Sequence, residues 1–285
     1  MTVWQDSLLS LCYDRPPIVS TRGWIPEAKF LQTELSYLNL MRYLCWIALK
    51  IIQMDESPES EPTQNLALLA ELDNTYNRAQ LHLLRREDCK NLQQHLEHLA
   101  LRMHVSFCVS ALCRPAIRSS PQNIQDTRYV SLRSRARVSL IDASKTFLEF
   151  QALSIVPSRT WSMVHTVLSS MLLLSTWQET KEDPECRDLQ QKVIEVFSSG
   201  NPSGKDTGSS EYSQWLSARH IKALITLRQA LKQRAAPQAS EGNGHDMNQA
   251  PEVSTNYGVH GASQDMPWMD DFSSYNNYFP GLGYG

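Results

Sequence analysis

Residues 24–199 contain no glycine, whereas seven of the 11 glycines in this 285-residue chain follow residue 240. Glycine supplies the backbone angles that tight turns and strand reversals most often need, so its absence over so long a stretch disfavours a sheet built from hairpins. The same stretch shows few alternations of β-branched and polar residues, and its apolar side chains recur at three- and four-residue spacing. Both features predict an all-α body: an irregular helical bundle of about eight helices joined by Pro and Ser turns, with a disordered C-terminal tail.

The periodicity places the helices. The first covers Val3 to Tyr13 and is stopped by Pro16-Pro17. A second starts at Pro26, a favoured first-turn residue, and runs to about Met54 with Phe30, Leu31, Leu35, Leu38, Met41, Leu44, Cys45, Ala48 and Ile52 on one stripe. Thr63 caps a third, to about Arg85. The fourth, Asn91 to Cys113, is apolar nearly all round, which puts it in the middle of the bundle, and Arg114-Pro115 ends it. After a loop over 116–127 come helices Val130 to Leu153, Ser158 to Thr180 and Pro184 to Phe197. A Gly- and Ser-rich loop then leads to a final amphipathic helix, Tyr212 to Gln233.

At Ala235 the composition changes, and with it the domain organisation: residues 1–234 form the folded body and 235–285 the tail. The tail holds six acids (Glu241, Asp246, Glu252, Asp265, Asp270, Asp271) and no Lys or Arg, against a formal charge of -3 for the whole chain, so the body is slightly basic. So polar a segment buries too little apolar area to offset about 1–2 kcal/mol of backbone ordering per residue. Within it, residues 266–279 set Trp268, Met269, Phe272, Tyr275, Tyr278 and Phe279 beside Asp265, Asp270 and Asp271. Acids keep the aromatics hydrated, and a greasy, basic groove on a partner could take Trp268, Met269 and Phe272 on one face of an induced helix. Docking onto the chain's own body is the alternative.

Candidate reactive centres are few. The six cysteines form no CxxC pair and, with no secretory leader in view, are expected to be reduced. No apolar run reaches the length that spans a bilayer. His95, His98 and His104, with Glu97 and Cys108, are the one group resembling metal ligands, but the pairs His95/His98 and His104/Cys108 point in different directions on a helix. GxSxG, GxGxxG and GxxxxGK[ST] are all missing. The basic stretch Arg118, Arg128, Arg133, Arg135, Arg137 is the one phosphate-facing candidate, and it lacks the interleaved aromatics that stack bases. These residues predict a protein without catalytic, cofactor-binding, metal-binding or DNA-binding residues, acting through contacts with other macromolecules.

Several segments resemble the middle homology region of fungal zinc-cluster transcription factors. Trp4-Gln-Asp-Ser-Leu-Leu-Ser-Leu-Cys-Tyr-Asp-Arg-Pro-Pro17 is similar to that family's element of Trp, Leu-Leu, Asp-Arg and Pro. Leu72-Asp-Asn-Thr-Tyr76 resembles the helix with a Leu-Asp and an aromatic. Leu99 to Pro115, closing on Arg114-Pro115, resembles the helix ending in an Arg-Pro pair, and Arg137 to Phe150 followed by Trp161 resembles the helices after it. The elements stand in family order over residues 1–234. The resemblance implies an all-α regulatory domain of a nuclear transcription regulator, with transcription machinery or co-regulator proteins as partners, a small-molecule effector, and residues 266–279 as an activating segment. The six cysteines, spread from Cys12 to Cys186, are not expected to make the family's N-terminal zinc cluster, and no counterpart of its dimerising coiled coil is read in this sequence either. Its DNA-binding residues are therefore not carried over, and no cofactor is expected in this chain. A different class also fits: a helical small-molecule-binding or metabolic protein with a pocket between the Trp46, Trp161 and Trp177 helices.

Overall fold

The computed structural model describes residues 6, 7, 10, 11, 16–18, 34–55, 62–118, 125–198 and 218–235. Among these residues there are nine α-helices and no strand. In chain order they are α1 (Tyr37–Asp55), α2 (Pro62–Tyr76), α3 (Leu81–Leu84), α4 (Leu92–Arg118), α5 (Thr127–Leu153), α6 (Val156–Arg159), α7 (Trp161–Thr176), α8 (Pro184–Ser198) and α9 (Ala218–Ala235), with a 3-10 turn over Arg86–Asp88. The all-α class read from the sequence is the class observed. Contacts divide the chain into one unit over Met1–Gln233 and another over Arg234–Gly285; the expected tail falls outside the described residues.

Helices α4 and α5, 27 residues each, are the axis of the first unit. Each extends about 40 Å at 1.5 Å per residue. They run antiparallel: Arg102 of α4 meets Asp142 of α5, and further along α4 the Ala116 carbonyl accepts from Arg133 Nε at 2.9 Å. Helix α4 is buried on nearly every side, with Leu99, Leu101, Met103, Phe107, Cys108, Leu112 and Cys113 almost wholly inaccessible. That burial satisfies the pattern of a helix without a polar face. Helix α1 packs on α4, α2 on both axis helices, and α7 and α8 on α5. Phe147 of α5, fully buried, stacks on Phe197 of α8 at 5.7 Å between ring centroids.

The element boundaries depart from the sequence reading in five places. Helix α1 begins at Tyr37, because Leu35 is taken into a backbone pairing with Ala79: Leu35 N–H donates to Arg78 O at 2.8 Å and Gln80 N–H to Leu35 O at 2.9 Å. The same pairing ends α2 at Tyr76 and splits the expected third helix, leaving α3 as a single turn. Helix α4 runs through Arg114-Pro115. Proline's missing N–H and its ring normally disfavour a helix interior, yet here only the last turn lies beyond it. That turn buries Ala116 completely and Ile117 nearly so, which offsets the lost hydrogen bond. Helix α5 starts three residues earlier than expected because Asp126 caps it, accepting from Arg128 N–H at 2.9 Å. The expected Ser158–Thr180 helix is a short turn, α6, followed by α7. Apart from those nine helices, Asp6, Ser7, Ser10 and Leu11 of the expected N-terminal helix are helical and buried; the remainder of Val3–Tyr13, and residues 26–33 and 212–217 of two other expected helices, lie outside the described residues.

Candidate functional site

The basic stretch singled out in the sequence folds into the end of α4 and the first turns of α5, and its arginines meet carboxylates from other elements. Arg128 wraps the Asp126 cap, holding that carboxyl below the usual carboxylate range. Arg133 bonds Glu179 at 2.9 Å, Arg135 bonds Asp73 of α2, and Arg137 bonds Asp183 ahead of α8. The Arg137 hydrogen bond lowers Asp183, and the same contact raises the guanidinium. Arg118, the remaining member, is exposed at the end of α4. These arginines tie α5 to the helices and turns around it, where surface pairs contribute little individually but fix geometry. The patch expected to be solvated is a structural seam.

A second polar seam lies deeper. Asp142 of α5 accepts from Arg102 Nε at 3.1 Å and from its Nη2, and from Ser106 Oγ at 3.0 Å. Burial disfavours the charged Arg102, but the Asp142 hydrogen bond and charge outweigh it, so the guanidinium is raised. One carboxylate thus satisfies three donors from α4 and sets the register of the two longest helices.

The histidines separate as the helical spacing predicts. His95 and His98 lie on one face with ring centroids 6.5 Å apart. His98 Nδ1 donates to Leu83 O at 2.9 Å; burial lowers its basicity more than that carbonyl raises it. His95 Nε2 lies 3.6 Å from Glu149, which also meets Arg86 at 2.8 Å, and His82 Nε2 lies 3.6 Å from Glu97. His104 is on another side, buried, with its basicity pushed down to about 4 by desolvation; Cys108 is fully buried. Among the described residues no three His, Cys, Asp or Glu groups are placed to hold a metal ion. An open concavity of about 300 Å³ adjoins His82, lined also by Glu34, Gln80, Leu81, Asp88, Lys90 and Gln94.

None of the three tryptophans proposed to line a pocket borders that concavity. Trp46 tilts against Tyr43 at 5.5 Å with Lys50 over its ring, and Trp177 is buried. Trp161 stacks on His165 at 5.3 Å and meets His220 of α9 at 6.3 Å, while His165 also packs edge-on against Phe107 of α4. This imidazole and indole cluster joins α4, α7 and α9.

Helix α9 carries the basic feature that the sequence reading passed over. Arg219, Lys222, Arg228, Lys232 and Arg234 stand on it with no acid. Its His220, Leu224 and Leu227 are buried, which turns Lys222, Ile225, Arg228 and Lys232 outward. Arg228 donates to the Ser198 hydroxyl, and neither it nor Lys232 makes an ion pair among the described residues. The signal was available in the composition of that one helix.

Trp268, Met269, Phe272, Tyr275, Tyr278 and Phe279 lie outside the described residues. Comparison with protein-family models, with curated proteins and with solved structures finds no match to this chain. Among the described residues no helix is long and apolar enough to cross a membrane.

Proposed function

We propose that this chain is the regulatory and effector portion of a fungal zinc-cluster-type transcription factor, acting in the nucleus through contacts with transcription machinery or co-regulator proteins. The observation that carries the reading is the ordered set of sequence elements resembling that family's middle region, on a chain whose body is all-α. The elements that fall among the described residues occupy packing positions. Leu72 is buried and its neighbour Asp73 pairs with Arg135; Arg114-Pro115 sits in the last turn of α4; Arg137 to Phe150 is the centre of α5; and Trp161 opens α7 on His165. Residues that recur because they build a fold are expected at such positions, whereas residues of a reaction centre would converge on a cleft. The acidic, aromatic segment 266–279 is the activating element of this proposal, with Trp268, Met269 and Phe272 as its anchors.

The test is a reporter assay. Residues 235–285 fused to an unrelated DNA-binding domain are expected to activate transcription, and Trp268→Ala with Phe272→Ala to abolish the activity. A silent fusion removes the activating role.

A further inference from the structure

We propose that α8 is a lid, a helix that lifts away from α5 and α7 far more often than the body unfolds, because Gln190 on its inner face buries an amide without partners. Gln190 is wholly inaccessible, and neither its Oε1 nor its Nε2 has a hydrogen-bond partner among the described residues. Its companions on that face are Cys186, Leu189, Val193, Ile194 and Phe197. On α5, Thr146 precedes the Phe147 that stacks on Phe197, and it too is fully buried with its hydroxyl unpartnered among the described residues. The buried hydroxyls of the axis helix α4 differ: Ser106 Oγ donates to Asp142 at 3.0 Å and Ser110 Oγ to Phe107 O at 2.8 Å.

An amide taken out of water into an apolar interior forfeits its hydration unless new hydrogen bonds replace it. The closed state bears that cost; the lifted state, in which water reaches Gln190, does not. Five apolar side chains and the Phe147–Phe197 stack outweigh one amide, so the closed form dominates. The orphaned amide nonetheless raises the lifted population about ten-fold or more over that of an apolar residue at the same place. Attachments on the outside add little, since the Lys145–Glu185 pair is exposed and Arg137–Asp183 is partly so. The lid rests on packing within the body and not on the activating role of residues 235–285.

Cys186, fully buried on the same face, reports the lifted state. The full chain is treated with iodoacetamide, and mass spectrometry of peptides follows Cys186 beside Cys108 of α4, each rate normalised to that of the urea-unfolded chain. Cys186 is expected to react about ten-fold or more faster than Cys108, with a shallower dependence on urea because lifting exposes less surface than unfolding. Gln190→Met keeps the length and volume of the side chain but removes the amide, and should slow Cys186 about ten-fold. Gln191→Met, an exposed change one residue along, should leave the rate unaltered. Gln190→Leu is the second variant, expected to act in the same direction, and circular dichroism establishes that each chain is folded. Cys186 reacting no faster than Cys108 overturns the proposal, since α8 then opens only with the whole body. So does a folded Gln190→Met or Gln190→Leu chain in which Cys186 reacts as fast as before. Loss of folding in both variants overturns it as well, because the amide would then be stabilising.

Discussion

Helices α5 and α9 are both rich in arginine and lysine, yet they use their charge in opposite ways. On α5, Arg133, Arg135 and Arg137 reach Glu179, Asp73 and Asp183, and the helix is tied on several sides to its neighbours. On α9, Arg228 and Lys232 stand on the outer face with no carboxylate partner among the described residues. A count of cations along the chain ranks the two alike; the difference lies in where the folded chain delivers its acids. A basic run therefore indicates a surface only after its internal partners have been located, and here the run that looked like a surface is a seam.

This contrast can be tested by disturbing each region. The largest effect should come from acid acting on the packed core around α4. His104 is held at about 4, below the ordinary histidine value of about 6.5, so the unfolded chain takes up its proton first as pH falls. Stability attributable to His104 is intact above about pH 6.5 and should decline by about 3 kcal/mol down to about pH 4. Urea unfolding across that range, compared with His104→Asn, isolates the contribution; equal slopes in both proteins would contradict it. Next in size, Asp142→Ala leaves Arg102 and Ser106 without their shared acceptor in a half-buried site and should cost about 2–3 kcal/mol in urea unfolding.

Removing the carboxylates of α5 should convert it into a second basic face. Asp73→Asn, Glu179→Gln and Asp183→Asn together are expected to cost about 1–2 kcal/mol, and to raise retention on a heparin column as the arginines come free. Unchanged retention would mean that those arginines were already available. The smallest effect belongs to α9: Arg228→Gln with Lys232→Gln should change stability by less than about 0.5 kcal/mol, because no buried partner is lost. A much larger loss in thermal unfolding would show that these cations are structural.

How much of this was readable in advance follows from the range of the interactions. The apolar girth of α4 is a local pattern, so its existence and burial follow from the sequence. The start of α1 does not, since Leu35 is withdrawn from the helix by Ala79, a residue distant in sequence. No glycine or proline marks the end of α2 at Tyr76, where the same contact acts. Pro115 misled because local propensity yielded to the burial of Ala116 and Ile117. The α5 arginines were legible as a cluster, whereas their partners, 62 and 46 residues away for Arg135 and Arg137, were not. The separation of His95 and His98 from His104 was legible because it depends on helical geometry alone. The run of five bases on α9 was readable but overlooked, since it is spread over a helix instead of clustered.

The division between a neutralised and an available basic helix is tested most directly by the reactivity of individual arginines. Brief treatment of the folded chain with phenylglyoxal, followed by mass spectrometry of peptides, ranks each guanidinium by its freedom. Arg228 should be modified several-fold faster than Arg133, Arg135 and Arg137, with the four converging once the chain is unfolded in urea. Equal rates in the folded protein, or faster modification on α5, would contradict the account.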